Sequence, residues 1–129
     1  MPGVRHPDRL GLHLRLVLGN AAGRPATFGP GKADLLAAIA ETGSIAAAGR
    51  RLGMSYKRAW SLVESLNAMF RSSLVDAAKG GAHGGGAVLT PLGARVLAAY
   101  RALEVASARA GHDPLAVIRR SLRVRPEAS

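Results

Sequence analysis

The chain has 129 residues, enough for one domain and an additional helix. Its hydrophobic content of 48% excludes general disorder, and the absence of cysteine excludes disulfides, thiolate metal sites and cysteine nucleophiles. Eighteen Lys and Arg stand against eight Asp and Glu, a net charge of +10 that points to a polyanionic partner, nucleic acid before membrane.

Residues 1–9 carry Pro2 and Pro7 and read as a flexible arm, without the apolar run of a signal segment. Apolar stretches such as 35–40 fall far short of the roughly 20 residues that span a bilayer, so a cytoplasmic protein without membrane contact is expected. Leu10, Leu12, Leu14, Leu16 and Leu18 alternate with Gly11, His13, Arg15 and Val17, a period of two that predicts a half-buried strand. Residues 19–23 read as a turn, and Pro25 to Phe28 as a short returning strand that Gly29-Pro30-Gly31 ends.

Helical spacing then takes over. Leu35, Leu36 and Ile39 predict a helix from Lys32 to Thr42, stopped by Gly43. Ser44 suits the N-cap of a second helix to about Leu52, and Ser55 the cap of a third to about Arg71. The third helix has Ala59, Leu62, Val63, Leu66, Met69 and Phe70 on its apolar side. Leu74-Val75-Asp76 and Ala87-Val88-Leu89-Thr90 are strand candidates around a glycine-rich tip, which makes a hairpin. Thr90 and Pro91 suit the start of a fourth helix to about Ala110, closed by Gly111, and Asp113-Pro114 the start of a last one to about Leu122.

Residues 44–63 have the pattern of a helix-turn-helix. Ala48 and Gly49 are small where the two helices would touch, and Gly53 is the turn glycine, free to take φ > 0. Leu52, Met54, Ala59 and Leu62 supply an apolar lock. The other face of the third helix starts with Ser55, Tyr56, Lys57, Arg58 and Ser61, the N-terminal residues that such a helix presents to base edges. Arg58 or Lys57 could pair with guanine O6 and N7, while Ser55 and Ser61 could reach phosphate or bases. Tyr56 suits either contact or packing, and Trp60 suits packing. Arg50 and Arg51 at the end of the second helix fit its dipole or a phosphate backbone equally well, and Ser44 joins them as a candidate contact. The glycine tip reads as a wing, with Lys79 and His83 as donors.

Other chemistry is not supported. Gly31-Lys32 is no phosphate-binding loop, because Ala26 replaces its first glycine and Ala33 its Ser or Thr. His6, His13, His83 and His112 lack ligand spacing, so no metal site is expected. The carboxylates form no evident acid–base pair, so no enzyme and no cofactor are expected. The fourth helix carries Leu92, Val96, Tyr100 and Leu103 on one stripe and is longer than sealing the domain requires, which suggests a dimer surface.

Glu41-Thr42-Gly43-Ser44-Ile45, followed by Gly53-Met54-Ser55-Tyr56-Lys57-Arg58-Ala59-Trp60, resembles the N-terminal DNA-binding domain of ModE-type molybdate-responsive regulators, which are related to the LysR-type winged helix. Lys79-Gly80-Gly81 and the run from Gly84 to Gly93 extend the resemblance over about residues 10–108. It implies a homodimeric transcription regulator whose recognition helix is Ser55 to Phe70 and whose dimer contacts come from the first and fourth helices. Full-length members bind molybdate through C-terminal domains. With Ser129 the last residue, no room for them is expected here, so an effector would be absent or supplied by another protein.

The combined expectation is an α+β winged helix-turn-helix with an N-terminal strand or hairpin and a long C-terminal dimerisation helix. The expected division is a flexible arm at 1–9, a DNA-binding domain at 10–90, a helical dimerisation segment at 91–122 and a flexible tail at 123–129. The expected partners are double-stranded DNA, read sequence-specifically, and a second copy of the chain. A sequence-tolerant architectural DNA-binding protein and a protein-interaction module with an incidental basic face are the competing readings.

Overall fold

The computed structural model describes residues 11–19, 23, 25–78 and 86–123. The expected arm at 1–9, most of the first turn, the wing tip with Lys79 and His83, and most of the expected tail lie outside them.

Local backbone chemistry sets the helix boundaries. Helix α1 (Pro30–Thr42) opens on a proline, whose missing N–H would have no partner in a first turn anyway. It ends at Gly43, where a φ of 72° lets the backbone N–H return to the Ile39 carbonyl. In α2 (Ile45–Arg51) the Ser44 hydroxyl accepts from the Ala47 N–H. In α3 (Tyr56–Met69) the Ser55 hydroxyl accepts from the Arg58 N–H, and in α4 (Pro91–Ala110) Thr90 accepts from Gly93. Helix α5 (His112–Arg120) follows Gly111 directly. None of these helices is long and apolar enough to cross a membrane.

Two antiparallel hairpins complete the fold. Strand β1 (Leu16–Leu18) pairs with β2 (Ala26–Phe28), and β3 (Val75–Ala77) pairs with β4 (Ala87–Leu89). The first hairpin is shorter than the leucine alternation predicts: three residues, with Leu12 and Leu18 exposed. Its partner is the limit. Pro25 has no N–H to add to the ladder, and the chain already turns into α1 at Pro30. The α1 boundary moves for the same reason, two residues ahead of the expected Lys32.

The core lies between α1, α3 and the first half of α4, around Phe28, Leu35, Leu36, Ile39, Leu66 and Leu74. Phe28 sits edge-on to Tyr100 at 5.1 Å and to Phe70 at 6.4 Å. The Tyr100 hydroxyl donates to the Leu14 carbonyl at 2.7 Å, which fixes the segment before β1 against α4. Burial pushes the Tyr100 phenol pKa up, and nearby Glu104 adds to that. On the outer side of the same contact, Arg101 of α4 pairs with Asp34 of α1 and with Glu104, each at 3.0 Å. With 40% of the Arg101 side chain exposed, each pair is worth no more than about 1 kcal/mol.

The inward position of Tyr100 corrects part of the expected dimer stripe. Tyr100 is buried, and Leu92 and Val96 are half-buried against the same core, so these three seal their own domain. Leu103 alone of the four is exposed. Tyr100→Phe is expected to lower stability by about 1–2 kcal/mol in urea denaturation, because the Leu14 carbonyl loses its donor while the ring contacts remain.

Candidate nucleic-acid interface

Helices α2 and α3 touch through small residues. Ala48 and Gly49 are buried, and a Cβ on Gly49 would lie 3.1 Å from the Ala59 Cβ. Gly53 takes φ 72° in the turn, and the Met54 N–H then reaches the Gly49 carbonyl at 2.9 Å. Ala59, Val63 and Leu66 bury one side of α3, with Leu52, Met54 and Leu62 packed at the margin. The helix is thereby braced with its opposite side outward.

That outward side carries the residues expected there. Ser55, Tyr56, Lys57, Arg58 and Ser61 are all exposed, within the first two turns of α3. The Ser55 hydroxyl already accepts from the Arg58 N–H at 3.1 Å, which leaves its own O–H as a donor to a ligand. Tyr56 is 59% exposed and leans edge-on against Trp60 at 6.2 Å, while Trp60 packs against the core. Two cations, two hydroxyls and a phenol thus project from one rigid helix end. This set can donate to phosphate oxygens and to the acceptor edges of bases.

The flanking residues divide. Arg50 is exposed at the end of α2, whereas Arg51 pairs with Glu41 and ties α2 to α1. Ser44 is half-buried, and its hydroxyl accepts from the Ala47 N–H at 3.1 Å. The β3–β4 pair stands beside this end of α2: Ala87 N–H donates to the Gly43 carbonyl, and Ala78 N–H to Gly86, both at 2.9 Å. Ser44, Tyr56, Trp60, Ala77 and Gly86 line a cleft of about 30 Å³ between α2, α3 and the hairpin. The described part of the hairpin thus adjoins Ser44 and Tyr56 in one cleft, while the expected wing contacts Lys79 and His83 lie outside the described residues. No group of three or more acidic or histidine side chains suited to a metal occurs among those residues.

One residue of this region escapes a pattern-based reading. Asn67 lies on the half-buried side of α3 and binds the start of β3. Its Oδ1 accepts from the Leu74 N–H at 2.8 Å and the Val75 N–H at 3.1 Å, and its Nδ2 donates to the Val75 carbonyl at 3.1 Å. The available signal was a polar residue inside the apolar stripe of Val63 and Phe70, at helical spacing from both.

A paired helix-turn-helix with an adjoining two-stranded wing defines a winged helix-turn-helix domain. Residues 32–94 match the family described as bacterial regulatory helix-turn-helix protein, lysR family. The resemblance to ModE-type proteins holds. The chain is 50% identical over 84 residues to the molybdenum-pterin-binding protein MopB of Rhodobacter capsulatus, covering 65% of this chain and 31% of that protein. It is 46% identical over 70 residues to the molybdenum transport protein ModE of Herbaspirillum seropedicae, covering 54% and 26%. With the DNA-binding transcriptional dual regulator ModE of Escherichia coli K12 the identity is 42% over 71 residues, covering 55% and 27%. The match thus spans about a third or less of the length of these relatives. Among solved structures, the CbnR DNA-binding domain in its DNA complex is similar at a TM-score of 0.53 and 27% identity, covering 68% of this chain and 95% of that one. Full-length CbnR with its target DNA gives 0.52, covering 68% and 29%.

Proposed function

We propose that this chain is a sequence-specific double-stranded DNA-binding regulator of transcription that works as a homodimer and has no enzymatic activity. The observation that carries the reading is the exposed set Ser55, Tyr56, Lys57, Arg58 and Ser61 on a helix locked from behind by Ala59, Val63 and Leu66. Its fold is that of a domain solved on DNA, and one relative is named as a DNA-binding transcriptional regulator. In this reading α3 lies in the major groove. Lys57 and Arg58 address guanine O6 and N7, and Ser55, Tyr56 and Ser61 address bases or phosphates. Ser44 and Arg50 hold the phosphate backbone, and Lys79 and His83 of the wing extend that contact along the flank.

The dimer surface is the exposed apolar side of the C-terminal helices. Leu103 and Val105 on α4 and Val117, Ile118 and Leu122 at and beyond α5 are between 45% and 62% exposed. A two-fold pair built there would present two α3 helices to half-sites about one helical turn apart. The protein would act in the cytoplasm, where its DNA is. Effector sensing is absent in this reading or supplied by a partner protein.

Selection of bound duplexes from a random pool tests the reading. The expected result is an enriched site with two-fold symmetry. Its affinity should fall with salt at a log–log slope of about −0.9 for each phosphate contacted. Equal binding of selected and random duplexes would replace it with an architectural role driven by the +10 charge. No duplex binding at low salt would replace it with a protein-interaction module.

A further inference from the structure

We propose that Asn67 is a positioning residue that fixes the angle between the recognition helix and the wing, and so sets how much flanking phosphate backbone the domain can engage. The inference rests on the DNA-binding reading above. Most other braces of α3 are apolar contacts on its inner side, with Lys32 Nζ of α1 reaching the Met69 sulfur at 3.6 Å; such contacts are not directional toward the hairpin. Asn67 is different in kind. Its side chain amide makes three hydrogen bonds to two successive backbone units of the hairpin, to Leu74 N, Val75 N and Val75 O. Donor and acceptor of one planar group are both engaged, so the contact is directional and restrains the orientation of β3 relative to α3, beside the Ala87 N–H to Gly43 carbonyl bond that anchors β4.

The same short segment is held from the other side. The Thr90 hydroxyl donates to the Ser73 carbonyl at 2.8 Å, and the Thr90 N–H to the Leu74 carbonyl at 2.9 Å. Residues 73–75 are therefore a joint between α3, the hairpin and the start of α4, and Asn67 is the side chain by which α3 reaches it. Asn67 lies about two and a half turns beyond Arg58 and somewhat under two turns beyond Ser61, the last of the exposed set, so its loss leaves Lys57 and Arg58 in place on α3.

The test compares Asn67→Ala and Asn67→Asp with the natural chain by hydroxyl-radical footprinting on the selected duplex, with thermal denaturation as a check on folding. Asn67→Asp keeps an acceptor for Leu74 and Val75 but sets a carboxylate oxygen against the Val75 carbonyl. The expected result is a graded loss of protection confined to the flanking backbone, least in Asn67→Asp. Asn67→Ala should also bind about ten-fold more weakly with a salt slope lower by about one phosphate contact, while base preference at the centre is kept. In the free protein, residual dipolar couplings of β3–β4 should lose their fixed orientation relative to α3, a readout independent of DNA. Flanking protection and couplings unchanged in both variants would overturn the proposal, as would protection lost evenly across the site. Should Asn67→Ala not fold, Asn67→Asp carries the comparison alone. A natural chain that binds no duplex would instead remove the DNA-binding reading, leaving the couplings to decide the geometry.

Discussion

Gly93→Ala should lower the stability of the domain by about 3 kcal/mol, a fall of roughly 12 °C or more in thermal midpoint. Gly93 is buried in the first turn of α4, where the helix passes directly over the chain at Leu74. A Cβ there would lie 2.1 Å from the Leu74 carbonyl oxygen and 3.0 Å from its carbon. The Cβ is fixed to the α4 backbone and the atoms it meets are backbone, so no rotamer change can make room. Leu74 cannot retreat either, since its N–H is held by Asn67 and its carbonyl by Thr90. The strain must move α4 as a whole, and with it Tyr100 and the ring contacts of the core. Gly31→Ala is the matched control: it is also in the first turns of a helix, a Cβ there meets nothing within 4 Å, and a small stabilisation of about 0.5 kcal/mol is expected. Urea denaturation of the two variants checks both values, and equal effects would show that the approach at Leu74 is looser than the structure has it.

What could be read from the sequence follows the range of the forces involved. The caps at Ser44, Ser55 and Thr90 and the turn at Gly53 depend on residues within four positions of each other, and each has the predicted structure. The outward side of α3 was equally legible, because the apolar stripe of Ala59, Val63 and Leu66 leaves Lys57 and Arg58 nowhere else to point. The α4 stripe was misread for the opposite reason. Leu92, Val96, Tyr100 and Leu103 share one periodicity, but which part of it faces the core is decided by Phe28 and by the Leu14 carbonyl, a backbone group 86 residues away. The overlong first strand fails similarly: leucine alternation sets a possible face, while the length of β2 sets how much of it can pair. Asn67 satisfies backbone groups of the hairpin that no local pattern exposes.

Arg58→Ala is expected to relax base preference at one position of the selected site by about 1–3 kcal/mol, roughly a five- to 150-fold loss of discrimination, with little change in stability. The structure separates the two effects. The Ser55 cap is accepted from the backbone N–H of Arg58, not from its side chain, so alanine keeps the cap. The guanidinium is exposed, and alanine is the better helix former. What disappears is a forked donor at the N-terminal end of a fixed helix, the geometry suited to two acceptors on one guanine. Arg50→Ala should behave differently. Its side chain ends α2 beside the proposed backbone contact, so its loss should weaken all duplexes evenly and reduce the salt slope by about one contact. Competition binding with single-base variants of the site, repeated over a salt series, distinguishes the two arginines. If Arg58→Ala weakened every variant by the same factor, its guanidinium would be a phosphate contact, and base readout would have to come from Lys57, Tyr56 or the serines.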